Sequence, residues 1–185
     1  MRDLKAIVGS RDYFIVTSNG EGHFQLAGFD AQKVYEVEGD WAHLTCSRRC
    51  CDEAVFGMEQ IKAMAAAEKD GLVPNDLIPR CAHCGAPLVP TMAAGVVDQG
   101  AGRRCEQFLD AAHGKNLVIL ELGIGARNTL IKAPLMRLAA REPNATYVTC
   151  NLGEFYIARD IEEKSFALEG RLDETLGELR QACVG

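Results

Sequence analysis

Two cysteine pairs limit what this chain can fold into more than any other feature. Cys46-x3-Cys50 is followed about thirty residues later by Cys81-x2-Cys84 and then Gly85. The chain opens Met1-Arg2-Asp3-Leu4-Lys5, without the apolar stretch of a secretory leader. Disulfides are then a poor account of its eight cysteines. Thiolates are soft ligands that suit tetrahedral zinc, and a short spacer lets both sulfurs of a pair reach one ion. Gly85 permits the tight turn after the last ligand. The pattern therefore predicts one structural zinc ion on Cys46, Cys50, Cys81 and Cys84, with Cys50 preferred over the adjacent Cys51, which has the same reach. Four thiolates leave no open position, so such an ion folds a loop and performs no chemistry. His83, between two ligands, is expected to be exposed rather than ligating. Cys105, Cys150 and Cys183 have no partner pattern and read as buried thiols. The competing account of the quartet is four free or buried thiols.

Charge and composition exclude several functions. The formal net charge is −6 and aromatics make up 6% of the chain, which disfavours a nucleic-acid partner. No run approaches the roughly 18 apolar residues of a membrane span. The expectation is a cytoplasmic protein with no nucleic-acid or membrane partner.

Along the chain, strands are predicted over 13–18, 116–123 and 145–151, and over 33–39, where apolar and polar residues alternate. Helical patterns cover 23–29 with Gly28 as cap, 58–71 closed by Gly71, 104–112, 133–142 with Pro134 at its first position, and 171–180 with Leu172, Leu176 and Leu179 inward. Residues 72–79 read as a loop and 92–102 as a flexible, glycine-rich crossing. Alternation of this kind predicts an α/β fold, a Rossmann-like parallel sheet with helices on both faces. The expected organisation is a partial Rossmann-like domain over 1–40 and 92–185, with an inserted zinc-binding module over 41–91.

Three strands end in polar or glycine-rich segments. These are Thr17-Ser18-Asn19-Gly20-Glu21, Gly123-Ile124-Gly125 with Asn128-Thr129 behind it, and Asn151-Leu152-Gly153. In a doubly wound sheet the carboxyl ends of the strands form the ligand crevice. Glycines let backbone N–H groups approach phosphate oxygens, and Asn side chains can hold ribose hydroxyls or a carboxamide. A turn or a capping Asn explains each segment singly; their agreement on one sheet edge points to a nucleotide.

In order, TSNGEGHFQLAGF (17–29), EVEGD (36–40), the two cysteine pairs, LVILELGIG (117–125) and VTCNLGE (148–154) resemble the sirtuin family. Sirtuins carry a T-Q-N-x-D-x-L-H-x-x-A-G segment, a catalytic H-G, a four-cysteine zinc module, a G-T-S loop and an I-N segment. The C-x3-C pair and GxGxxNT lean toward the divergent bacterial branch linked to macrodomain proteins. The resemblance spans about residues 11–181. It implies a Rossmann-type domain with a small zinc-binding domain, and NAD as co-substrate of a protein ADP-ribosyltransferase or deacylase. It places Asn19 against the nicotinamide and its ribose, with Thr17 and Ser18 in the same segment and Glu21 near the carboxamide. Gly123 and Gly125 line the phosphates and adenosine ribose, with Asn128 close behind. Asn151 holds the adenosine ribose, and Glu38 falls on the catalytic His.

Three departures shape the expected activity. A carboxylate at Glu38 is a weaker base than imidazole near neutral pH, which disfavours deacetylation. It can still steady positive charge at the ribose carbon as nicotinamide leaves, which favours transfer of ADP-ribose to a protein or peptide acceptor. Arg171 stands where many relatives have Asp. Nothing before Asp12 matches the family's phosphate-binding G-A-G-x-S unit; AIVGS (6–10) is too short. The expectation is therefore a truncated protein, weakly active or inactive as it stands. The alternative is a catalytically silent, zinc-stabilised module binding a peptide or an ADP-ribose-like ligand.

Overall fold

The computed structural model describes residues 1–125, 128–153 and 155–184. Ala126 and Arg127 of the GxGxxNT stretch, and Glu154 after Asn151, lie outside the described residues. The elements are α1 (Arg2–Val8), β1 (Ile15–Thr17), α2 (His23–Leu26), β2 (Val34–Glu36), β3 (His43–Cys46), β4 (Ala54–Phe56), α3 (Met58–Ala67) and β5 (Leu88–Pro90). They continue with α4 (Thr91–Ala94), α5 (Gln99–Ala112), β6 (Leu117–Leu122), α6 (Lys132–Arg141), β7 (Ala145–Asn151), β8 (Ser165–Glu169) and α7 (Leu172–Val184). The chain divides into two compact units. The sheet unit holds Met1–Val16, Phe24–Val34 and Arg103–Gly185, and the cysteine unit holds Thr17–His23 and Tyr35–Gly102.

In the sheet unit, β6, β7 and β8 lie parallel, with Val118 opposite Thr146 and Val148 opposite Phe166. One face carries Ile119 and Tyr147, which pack on Met136, Leu138 and Ala139 of α6 and on Ile161. The other carries Leu120 and Leu122, packed with Leu4 of α1 and with Leu176 and Leu179 of α7. Helices thus cover both faces, as the alternation predicts. Near the end of the apolar β6 run stands Glu121, its side chain fully buried, paired with Lys132, which is only 3% exposed. The Tyr147 hydroxyl donates to Glu121. Thr149 Oγ1 donates to Glu121 Oε1 at 2.7 Å. Two buried charges cost desolvation, and only a complete shell of partners offsets it. Burial pushes the Tyr147 hydroxyl far above its ordinary range, so it stays a donor.

Several expectations change in detail. The first two predicted strands pair with each other as β1 and β2, separately from the parallel sheet. Residues 2–8 are helical, and Gly9 ends that helix at φ 55°. Pro134 is the third residue of α6, not the first, because the helix starts at Lys132; the first turn lacks intrahelical N–H partners, so the ring is harmless there. Helix α5 begins at Gln99 and draws Gly100 and Gly102 out of the predicted crossing. Asp98 Oδ1 accepts from the N–H of Gly100 at 2.7 Å, as a capping residue does.

In the cysteine unit, β3 pairs antiparallel with both β4 and β5, placing Leu44 opposite Val55 and Pro90. Entry and exit of this segment are tied together. Thr91 Oγ1 donates to the Asp40 carbonyl at 2.9 Å, and the Asp40 N–H donates back to Thr91 Oγ1 at 3.0 Å. The Met92 N–H donates to the same carbonyl at 3.1 Å, its second bond.

Candidate functional site

The cysteine quartet converges. The sulfurs of Cys46, Cys50, Cys81 and Cys84 all lie within 4.8 Å of one another. Cys46 Sγ is 3.5 Å from Cys84 Sγ, and Cys50 Sγ is 3.5 Å from Cys81 Sγ. With zinc–sulfur bonds of about 2.3 Å, a tetrahedron has sulfur–sulfur edges of about 3.8 Å, so the spacing fits one ion. Cys50, not Cys51, is the fourth member of this cluster. Two similar turns present the ligands. The Arg49 N–H donates to the Cys46 carbonyl at 2.8 Å, and the Gly85 N–H to the Cys81 carbonyl at 2.8 Å. The positive φ of 68° explains the glycine at 85. Backbone donors also aim at sulfur. The Cys50 N–H, helped by that of Arg48, pulls the Cys46 thiol down to about 6 against the opposing effect of burial. The N–H groups of His83 and Cys84 lower Cys81 in the same way. Both shifts favour the thiolate form that a metal ligand takes.

The same unit carries Thr17, Ser18, Asn19, Glu21 and Glu38. Two backbone bonds run between their segments: the Val37 N–H donates to the Thr17 carbonyl at 2.9 Å, and the Trp41 N–H to the Gly20 carbonyl at 3.0 Å. Asn19 and Glu38 lie inside this bracket, both exposed. Glycine makes the apposition possible. A Cβ on Gly20 would lie 2.8 Å from the Gly39 carbonyl oxygen, and one on Gly39 would lie 2.4 Å from that of Val96. Thr17 is buried, and its Oγ1 accepts from the Asn19 N–H at 3.0 Å, which fixes the start of the loop. Glu21 Oε1 lies 3.1 Å from His23 Nδ1.

In the sheet unit, Gly123, Asn151, Leu152, Gly170, Arg171, Leu172 and Asp173 line one cavity of about 310 Å³. Gly123 turns at φ 65° where β6 ends, and its N–H donates to the Cys150 carbonyl at 2.9 Å. The Asn151 amide braces this rim: Nδ2 donates to the Ile124 carbonyl at 3.3 Å, and Oδ1 accepts from the Leu152 N–H at 2.9 Å. Asn128 lines a different cavity, of about 230 Å³, together with Lys132, Arg137 and Asp160. Its Oδ1 accepts from the Ile131 N–H at 2.8 Å, holding the approach to α6. The Gly125 carbonyl accepts from the Asn128 N–H at 3.0 Å. Gly123 and Asn151 thus share a cavity that Asn128 does not line. Sequence reasoning missed the contribution of Asp173 to that cavity; its signal was the acidic first turn of α7.

No family model matches the chain. It is 29% identical over 173 residues to a protein ADP-ribosyltransferase of Staphylococcus aureus, covering 89% of this chain and 55% of that protein. It is 30% identical over 126 residues to a probable bifunctional ADP-ribose hydrolase/ADP-ribosyltransferase of Fusarium oxysporum f. sp. cubense, covering 62% of this chain and 21% of that one. The chain thus spans about half the length of the first and about a fifth of the second. Among solved structures, one described as the structural basis for the mechanism and regulation of Sir2 enzymes matches with a TM-score of 0.62 and 21% identity. That match covers 92% of this chain and 61% of the other. The chain therefore has a sirtuin-like fold, mixed α/β with a cysteine cluster able to hold zinc. Among the described residues, no helix is long and apolar enough to cross a membrane.

Proposed function

We propose that the chain is a sirtuin-like NAD-dependent transferase that breaks the bond between nicotinamide and ribose and passes ADP-ribose to a protein or peptide acceptor. The bond from the acceptor nucleophile to the ribose carbon forms as the one to nicotinamide breaks, and the nucleophile's proton leaves to a base or to water. One observation carries the reading: Asn19 and Glu38 are exposed on two segments bonded to each other on either side of them. In this reading Asn19 orients the nicotinamide ribose, with Thr17 and Ser18 shaping its loop and Glu21 near the carboxamide. Glu38 steadies the developing cation, the electrostatic task that most lowers such barriers. Gly123, Gly125, Asn128 and Asn151 serve the ADP half. Likeness in sequence to the Staphylococcus aureus transferase supports ADP-ribosyl transfer over deacylation. One zinc ion on Cys46, Cys50, Cys81 and Cys84 folds the inserted module over 41–91, while 1–40 and 92–185 serve NAD. The quartet's need for reduced sulfur suits the cytoplasm.

Incubation with NAD and detection of free nicotinamide tests the proposal. The wild-type chain is expected to release it, and Asn19→Ala to lower the rate at least ~100-fold, the scale set by losing a group that acts at the reacting centre. Glu38→Gln should lower it while leaving NAD affinity unchanged. Absence of nicotinamide release from a zinc-loaded chain that binds ADP-ribose in calorimetry would overturn the enzyme in favour of a binding module.

A further inference from the structure

Beside the four-thiolate site lies a second convergence of metal-binding groups. Cys51 Sγ, a Glu53 carboxylate oxygen and a His83 ring nitrogen all lie within 4.8 Å of one another. Their spacing suits coordination. His83 Nε2 is 3.3 Å from Glu53 Oε2. The pair is a hydrogen-bonded ion pair as it stands, at a separation that a shared cation can also bridge. With zinc–nitrogen and zinc–oxygen bonds of about 2.0–2.1 Å, a tetrahedron places the two atoms about 3.3–3.4 Å apart.

The trio is also held in place. Cys51 follows Cys50, and His83 lies between Cys81 and Cys84, so both belong to the two hydrogen-bonded cysteine turns. Glu53 is anchored from the interior: its carbonyl accepts from Thr45 Oγ1 at 2.9 Å, and Thr45 is only 2% exposed. The side chains of His83 and Glu53 are 54% and 67% exposed, so water reaches the group.

We propose that Cys51, Glu53 and His83 form a second, exchangeable site for a borderline divalent cation such as zinc. Three protein donors of mixed sulfur, nitrogen and oxygen type leave one position open, which water or a small thiol can fill. The closed four-thiolate shell offers no such position. The second site depends on the first for its geometry, so the two load in order, and it is independent of any reaction with NAD.

The test is a zinc and cobalt titration of the full chain. Elemental analysis at buffered micromolar free zinc should give two equivalents per chain. A weak chelator should remove one and leave the other. Cobalt should give first the intense thiolate charge-transfer band of a four-sulfur site, then a second, weaker spectrum. His83→Ala and Glu53→Gln change exposed side chains, so the fold is retained. Each should lose the second equivalent and its spectrum while keeping the first band. A single equivalent in the wild type would overturn the proposal, as would a second equivalent that survives both substitutions.

Discussion

The sheet unit and the cysteine unit solve the same problem by different means. In the first, Ile119, Met136, Ala139, Tyr147 and Ile161 make an apolar core on one side of the parallel strands, and Leu4, Phe29 and Leu176 make another on the other side. In the second, the buried cluster is Cys46, Cys81 and Ala86, and helix α3 has no buried residue. Apolar burial stabilises in proportion to area, and a segment with so little of it must find its stability elsewhere. The difference teaches that the sheet unit owes its order to packing, whereas the cysteine unit has close backbone contacts and a cysteine cluster able to hold zinc in place of a large core.

The largest expected effect comes from breaking the metal shell. Structural zinc contributes on the order of 10 kcal/mol or more to small domains. Cys81→Ser, or a strong chelator, should abolish amide protection over 35–102 and shift the emission of Trp41, the chain's single tryptophan. Protection in β6 to β8 should persist. Simultaneous loss of both sets of amides would break the contrast.

Next in size is the buried charge pair of the sheet unit. Glu121→Gln leaves Lys132 charged and uncompensated, which should cost about 3–5 kcal/mol. Denaturant-dependent exchange of the β6–β7 amides should report that loss, with Trp41 emission less affected. Adding Lys132→Met should restore most of it, because a buried pair often exchanges for apolar groups at little net cost. Failure of the double variant to recover would show that the pair itself stabilises the fold.

The smallest effect concerns acid. The Gly114 N–H, assisted by the side chains of His113 and Arg141, holds the Glu142 carboxyl below its ordinary range against the opposing effect of burial. A carboxylate with a lowered folded-state pKa contributes stability that is present above the unfolded value and lost as pH falls through the folded one. The sheet unit should therefore weaken below about pH 4, near the usual carboxylate value. Unfolding curves of wild type and Glu142→Gln should converge in acid and diverge toward neutrality. Equal divergence at every pH would remove the ionic explanation.

What the sequence revealed follows the same division. The quartet was legible because such a cluster is a local pattern: spacing within each pair, and Gly85 after the second, nearly suffice. Strands β6 and β7 were legible because continuous apolar runs mark buried parallel strands. Strand β8 was not, since it is five residues long and its Phe166 is 60% exposed. The strands of the cysteine unit span three or four residues each, too short to carry a period of their own. Glu121 passed unseen inside an apolar run because its partners Lys132 and Tyr147 are brought to it only by the fold. At the candidate site, Asn19 and Glu38 were visible as residues. The backbone bonds on either side of them were not, because those bonds depend on Gly20 and Gly39 meeting across the loop.

The reciprocal bonds between Asp40 and Thr91 join positions 51 residues apart. They make the intervening segment a cassette with a sealed neck. Closure entropy grows only with the logarithm of loop length, so doubling the cassette would cost roughly 0.6 kcal/mol. Length and content inside the neck can therefore drift widely, and a foreign fold grafted between these two residues would inherit the same doorway.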